Sequence, residues 1–250
     1  MDKLLSLFQL PAKSYINKRI PLKAIIDEYS LGKQDEKLLR SHIESLEMIS
    51  ALNTETTFLK PSFSEEMDFI EINILFCQLK KSNESIKLDQ RLHFFFQNPT
   101  IIIYQYNNQY RLTISKKRKS KINQNESVVE HTYYTNLFRF EDLRYSKLYQ
   151  KLTYSNQKFI DLKDLYEYYN KIITNATMIK YLEEYPSKLF DVEIVQSSIN
   201  DIEQINSTIN KNKEILKNSY SMSDRIEIND LIQQLETEIF NILKTYRNED

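Results

Sequence analysis

Two patterns of apolar residues divide this chain. In the first, Ile101, Ile102, Ile103, Tyr104 and Tyr106 precede the pair Asn107-Asn108, and Tyr110, Leu112 and Ile114 follow it. β-Branched and aromatic runs around two residues that tolerate positive φ predict a tight hairpin over residues 99–115. In the second, Val195, Ile199, Ile202, Ile209 and Leu216, then Ile228, Leu231, Leu235, Ile239, Ile242 and Tyr246, recur in steps of three and four. That period draws a narrow apolar seam along helices otherwise made of Asn, Gln, Glu and Lys. Between the runs, in residues 219–224, Ser221 with Asp224 resembles an N-cap pair. Two antiparallel helices are therefore expected, with one continuous helix that pairs with another molecule as the alternative. A seam this narrow predicts an interaction device rather than a buried core element.

The remaining elements follow from the same periods. Residues 1–10 predict a short docking helix ended by Pro11, with no cleavage site behind it. Residues 22–29 and 35–46 read as two helices about Ser30-Leu31-Gly32, the second carrying Leu38, Leu39, Ile43 and Leu46 on one stripe. Its mixed Lys37, Arg40, Glu36, Glu44 and Glu47 lack the basic face of a groove reader, so packing against a sheet is the expectation. Residues 47–59 and 67–79 predict strands; in the second, Glu71 and Asn73 share one face and the opposite, apolar face packs on helices. Residues 88–97 predict an amphipathic helix with Leu88, Leu92, Phe95 and Phe96 inward and Asp89, Gln90, Arg91 and Gln97 outward. Helices are expected over 145–154 and 161–185. The resulting fold class is α+β: a small, mostly antiparallel sheet flanked by helices over residues 1–140, a helical connector over 141–190, and a coiled-coil hairpin over 191–250.

Composition narrows the chemistry. The chain of 250 residues has a formal net charge of -1, so any case for a polyanionic partner must rest on a local patch. Gly32 is the only glycine, which excludes Gly-rich phosphate loops and dinucleotide fingerprints, since both need several glycines for close backbone approach. The single Cys77 cannot form an internal disulfide, and a reducing cytoplasm is the expected compartment. No apolar run approaches the roughly 20 residues that span a bilayer. His42, His93 and His131 stand alone, and His93, among phenylalanines, reads as a packed core residue.

A local basic patch is present. Arg111, Lys116, Lys117, Arg118, Lys119 and Lys121 carry no carboxylate between them, and the last five are expected on a loop continued by Asn123, Gln124 and Asn125. Such a loop can neutralise phosphates, with Tyr104, Tyr106, Tyr110, Tyr133 and Tyr134 stacking bases if they face outward. Equally, it can be a solvated loop that keeps an exposed hairpin from aggregating. A Mg²⁺ nuclease of the restriction type would place carboxylates at Asp68 and Glu71 with a lysine two residues on; Asn73 stands there instead. No cofactor, metal ligand or catalytic residue is assigned.

Leu10-Pro11 followed by Asn17-Lys18-Arg19-Ile20-Pro21, the hairpin ending in lysines, and Glu227-Ile228-Asn229 within the C-terminal seam together resemble the bacterial domain-of-unknown-function family 4391. The resemblance implies an accessory protein of restriction-like antiphage modules, found beside DNA methyltransferases and helicases. It implies no catalytic residues, and it adds Lys18 and Arg19 to the candidate nucleic-acid contacts. The expectation is thus a non-catalytic subunit that docks a larger helicase- or methyltransferase-type protein through its C-terminal helices. Nucleic acid and a second copy of the chain are further candidate partners, a membrane is not, and a divergent Mg²⁺ nuclease is the alternative function.

Overall fold

The computed structural model describes residues 3–82, 86–122, 126–156, 158–218 and 221–247. Its elements, in chain order, begin with α1 (Lys3–Leu7), β1 (Tyr15–Arg19), α2 (Leu22–Glu28), α3 (Lys33–His42), β2 (Ile43–Asn53) and α4 (Thr54–Thr57). Next come β3 (Glu71–Leu79), α5 (Ile86–Phe95), β4 (Thr100–Tyr106), β5 (Gln109–Lys119), β6 (Ser127–Tyr134) and β7 (Phe138–Arg139). The chain closes with α6 (Ser146–Leu152), α7 (Leu162–Ala176), α8 (Ile179–Leu182), α9 (Val192–Asn218) and α10 (Met222–Lys244).

The fold is mixed α/β. Its sheet has seven strands in the order β1-β2-β3-β4-β5-β6, with β7 pairing the start of β5, so it is larger than the small sheet expected from the sequence. All pairs are antiparallel except β3–β4, whose parallel register runs from Asn73↔Thr100 to Gln78↔Gln105. Parallel neighbours need a crossover, and α5 supplies it. The predicted hairpin is β4–β5, closed at Asn107 with φ 52°.

Helices cover both faces of the sheet. On one, Ile72, Ile74, Phe76, Ile101, Ile103, Leu112 and Ile114 pack with Leu4, Leu5 and Phe8 near the N-terminus, Leu148 and Leu152 of α6, and Leu162, Leu165 and Tyr169 of α7. On the other, Leu75, Cys77, Ile102 and Tyr104 pack with Ile25 and Ile26 of α2, Leu39 of α3, and Leu88, Leu92 and Phe95 of α5. Burial on both sides explains why β3 and β4 are continuous apolar runs, and helices cover not only the face expected to be packed but also the one that carries Asn73, which is only 5 % exposed. Residues 141–190 carry α7 across the sheet in the same core.

Several boundaries differ from the sequence reading, each for a tertiary reason. The second helix ends at His42, because Ile43 pairs with Leu79 and Leu46 with Cys77, so the apparent helical stripe belongs partly to a strand. Strand β2 stops at Asn53, whose side chain caps α4 in a capping box, and Phe58, expected within a strand, is 81 % exposed in the left-handed region. Residues 61–70 are irregular, with one bridge between Ser62 and Phe69 and further hydrogen bonds from Lys119 to Ser64, Glu66 and Asp68.

The C-terminal helices run antiparallel. The Tyr246 hydroxyl donates to Ser198 Oγ at 2.8 Å, while Lys213 reaches Glu236 at 3.5 Å. Ser221 caps α10 by accepting from the backbone N–H of Asp224, and Ser219 and Tyr220 lie outside the described residues. The first half of α9 is a core element, contrary to the expectation of a seam alone: Val195, Ile199 and Ile202 pack with Met178 and Leu182 around α8. Among the described residues no helix is long and apolar enough to cross a membrane.

Candidate functional site

Strand β5 carries the chemistry. Its side chains alternate, so Tyr110, Leu112 and Ile114 enter the α7 face while Arg111, Thr113 and Ser115 turn toward α5. Past an irregularity between Lys116 and Lys117, the Lys117 side chain also reaches the end of α5. The result is a buried polar row beneath a helix. Asp89, expected outward, is 0 % exposed and meets Arg111 in a two-point ion pair, Nη1 to Oδ1 at 3.2 Å and Nη2 to Oδ2 at 2.6 Å. The guanidinium also lies over the Tyr134 ring, 4.5 Å from its centroid. Burial outweighs the guanidinium and holds the Asp89 carboxyl up, at about 6.

His93 is packed, as its neighbours suggested, and shares a hydrogen bond of 3.1 Å with Thr113 Oγ1. Burial holds it neutral, with a pKa well below the ordinary imidazole value. Lys117 donates to the carbonyls of Phe96 and Asn98, in the turn that follows α5. Desolvation pushes its amine down to about 7, and a neutral amine still has the two N–H groups those carbonyls use.

The eight predicted contact residues are therefore scattered. Arg111 and Lys117 are 3 % and 6 % exposed, and their charged groups are spent inside the fold. Arg118 pairs with Glu130 at 3.1 Å and Lys119 with Asp68 at 2.7 Å, and the run from Lys116 to Lys119 is strand rather than loop, because β6 pairs with it to the end. Lys116 and Lys121 are exposed with no ion pair among the described residues. Lys18 and Arg19 are exposed too, but on the edge strand β1, four strand spacings from β5, or about 19 Å. Asn123, Gln124 and Asn125 lie outside the described residues. Of the expected stacking rings, Tyr104, Tyr110 and Tyr133 are buried at 1, 6 and 7 %, and Tyr106 and Tyr134 are half-buried.

The carboxylates considered for a metal are tied elsewhere. Glu71 accepts from the side-chain amides of Asn53 and Asn98, both at 3.2 Å, and Asp68 holds Lys119. Among the described residues no group of three His, Cys, Asp or Glu side chains comes close enough to hold a metal ion.

Two surfaces remain. One is a partly enclosed cleft of about 300 Å³ between the end of β5, α7 and the loop before β3, floored by Met67, Phe69, Tyr133 and Tyr166 and edged by Asn170 and Lys116. Tyr166 is its fixed point. Its hydroxyl donates to Ser115 O at 2.8 Å and accepts from the N–H groups of Thr100 at 3.4 Å and Ser115 at 3.3 Å, bridging β4 and β5 where their pairing stops. The other is the outer side of α10. Ile205, Ile209 and Ile232 form a small apolar cluster supplied by α9 and α10 alone, which leaves Met222, Ile226 and Phe240 exposed at 73, 53 and 54 %.

Sequence reasoning reached Lys116 and Tyr133 but missed Asp89, Tyr166 and Asn170. Asp89 had one usable signal: it stands one turn before Leu92 and His93, on the same side of the helix.

A family model described as Domain of unknown function (DUF4391) matches residues 8–239. No curated protein and no solved structure matches the chain.

Proposed function

For this chain, which belongs to the DUF4391 family, we propose the role of a non-catalytic subunit that docks a larger protein through the outer face of α10. One observation carries the reading. Ile226, Gln233 and Phe240 are spaced by seven residues, and Met222 lies one turn before Ile226, so they share one line of a helix whose buried side faces α9. Three large apolar side chains on one exposed line suit a helix-in-groove or helix-pairing contact. A helicase- or methyltransferase-type protein of an antiphage module is the partner class to which the reading extends.

The test is co-purification of the tagged full chain from its host, beside an Ile226→Glu/Phe240→Glu variant. A helicase or methyltransferase recovered with the parent and lost with the variant is the expected result. The same partner recovered with both overturns the reading.

A second reading has a specific observation behind it. Lys119 lies 2.7 Å from Asp68, so β5 brings a lysine to the carboxylate where Asn73 supplies none. A Mg²⁺ nuclease built on Asp68 and Glu71 would show Mg²⁺-dependent cleavage of nucleic acid that Glu71→Ala abolishes. Asp68 and Glu71 are held by different partners, and among the described residues no group of three His, Cys, Asp or Glu side chains could hold a metal ion, which ranks it second.

A further inference from the structure

The cleft beside α7 combines features that the docking reading leaves unused. Its floor is aromatic and pre-formed: the Phe69 and Tyr166 ring centroids are 5.9 Å apart, and the Tyr166 hydroxyl is pinned to two strands. Its rim carries both signs of charge. Lys116 has no ion pair among the described residues, whereas Lys163 is 3.7 Å from Glu167 and Lys171 is 2.6 Å from Asp191. Those two carboxylates are 57 % and 61 % exposed, so the pairs are weak and exchange readily for another anion. Glu66, Glu167 and Glu193 share the rim, so a bare anion would gain little net attraction there.

A ligand gains more if it is anionic at one end, flat and apolar in the middle, and rich in hydrogen-bond donors elsewhere. It would lay its ring on the aromatic floor, its anion on the lysines, and its donors on the carboxylates and the Asn170 side chain. Ribose hydroxyls, base amines and a phosphate divide in this way. A cavity of about 300 Å³ sits at the lower end of the range for small-ligand pockets. We infer that the cleft holds one nucleotide unit, a nucleobase with its phosphate, taken either free or from a single strand. With Gly32 as the only glycine in the chain and not part of the cleft lining, phosphate is held by lysine side chains rather than by a backbone cradle. Binding is then sensitive to salt.

The test uses the full chain and two probes: a fluorescein-labelled, mixed-sequence single-stranded oligonucleotide followed by anisotropy, and ATP, GTP, CTP and UTP followed by saturation-transfer NMR. Lys116→Glu, at an exposed side chain outside the core, should weaken binding by roughly threefold to tenfold and flatten the log–log salt slope of the oligonucleotide by about 0.7. Asn170→Leu, checked for an unchanged melting curve, should weaken it without altering the slope. Lys18→Glu, on the far edge of the sheet, should change neither. Binding of the oligonucleotide alone assigns the unit to a strand, and binding of the mononucleotides assigns it to a free ligand. The inference is overturned if neither probe binds, if both cleft variants bind as the parent does, or if Lys18→Glu weakens binding equally. Partner capture through α10 is read in a separate experiment, so either result can fail alone.

Discussion

The sheet and helix α10 use apolar residues in opposite ways. Strand β3 has a single exposed position among its nine residues, and α5 and β5 between them enclose Asp89, His93, Arg111 and Lys117. Helix α10 has 23 residues, and Ile232 is the only one fully buried. A segment that buries charges must be held by everything around it, because each charge needs its partner in place. Helix α10 rests on α9 along one seam and, at its C-terminal end, on the cluster around α8 through Ile239, Ile242 and Leu243, so its outer line takes no part in that packing. The contrast places the stability in the body and leaves the outer line of α10 uncovered, which is the face the proposed docking role uses.

The largest expected effect lies at the buried Asp89–Arg111 pair. Arg111→Met should cost about 3–5 kcal/mol in urea denaturation, because Asp89 is left buried without its counter-charge, while Asp89→Leu/Arg111→Met should recover most of that loss. A single-mutant cost under about 1 kcal/mol would show that the pair is not fixed in a closed interior. Tyr166→Phe should cost about 1–3 kcal/mol, since the Thr100 and Ser115 backbone groups lose their partner at the end of the β4–β5 pairing.

Lys117 sharpens the contrast through pH. From about pH 7 up to the ordinary lysine value of about 10, the unfolded chain holds a proton at this residue that the folded chain has released, so stability rises with pH. Between about pH 7 and 9 the rise should approach 1.4 kcal/mol per pH unit, and Lys117→Met should remove it. Urea midpoints across that range measure both. The smallest effect belongs to α10: Ile226→Glu/Phe240→Glu should shift stability by no more than about 0.5 kcal/mol. A loss above about 2 kcal/mol would mean that this face is packed, and the division of labour would fail.

Local patterns in the sequence carried the hairpin well. Asn107-Asn108 marks its turn, the apolar runs on either side become β4 and β5, and the cap at Ser221 separates α9 from α10. The patterns failed where a neighbour distant in sequence decides the outcome. Ile43 and Leu46 continue a helical stripe, yet β3 draws them into a strand. Five closely spaced cations read as a loop because polar runs usually are loops, yet β6 pairs with four of them, Lys116 to Lys119, as strand. Asp89 read as solvent-facing because a carboxylate on an amphipathic helix usually is, and only Arg111, 22 residues on, makes its burial tolerable.

The order of residues by itself determined the hairpin, the two C-terminal helices and the absence of a glycine-built phosphate cradle, because each depends on periodicity, turn chemistry or composition within a short span. Tertiary structure decided which cations remain available at the surface, where the aromatic cleft forms and which side of α10 stays open. The reason is physical: a charge or an apolar side chain is spent or left free by whatever packs against it, and in this fold those partners come from other elements.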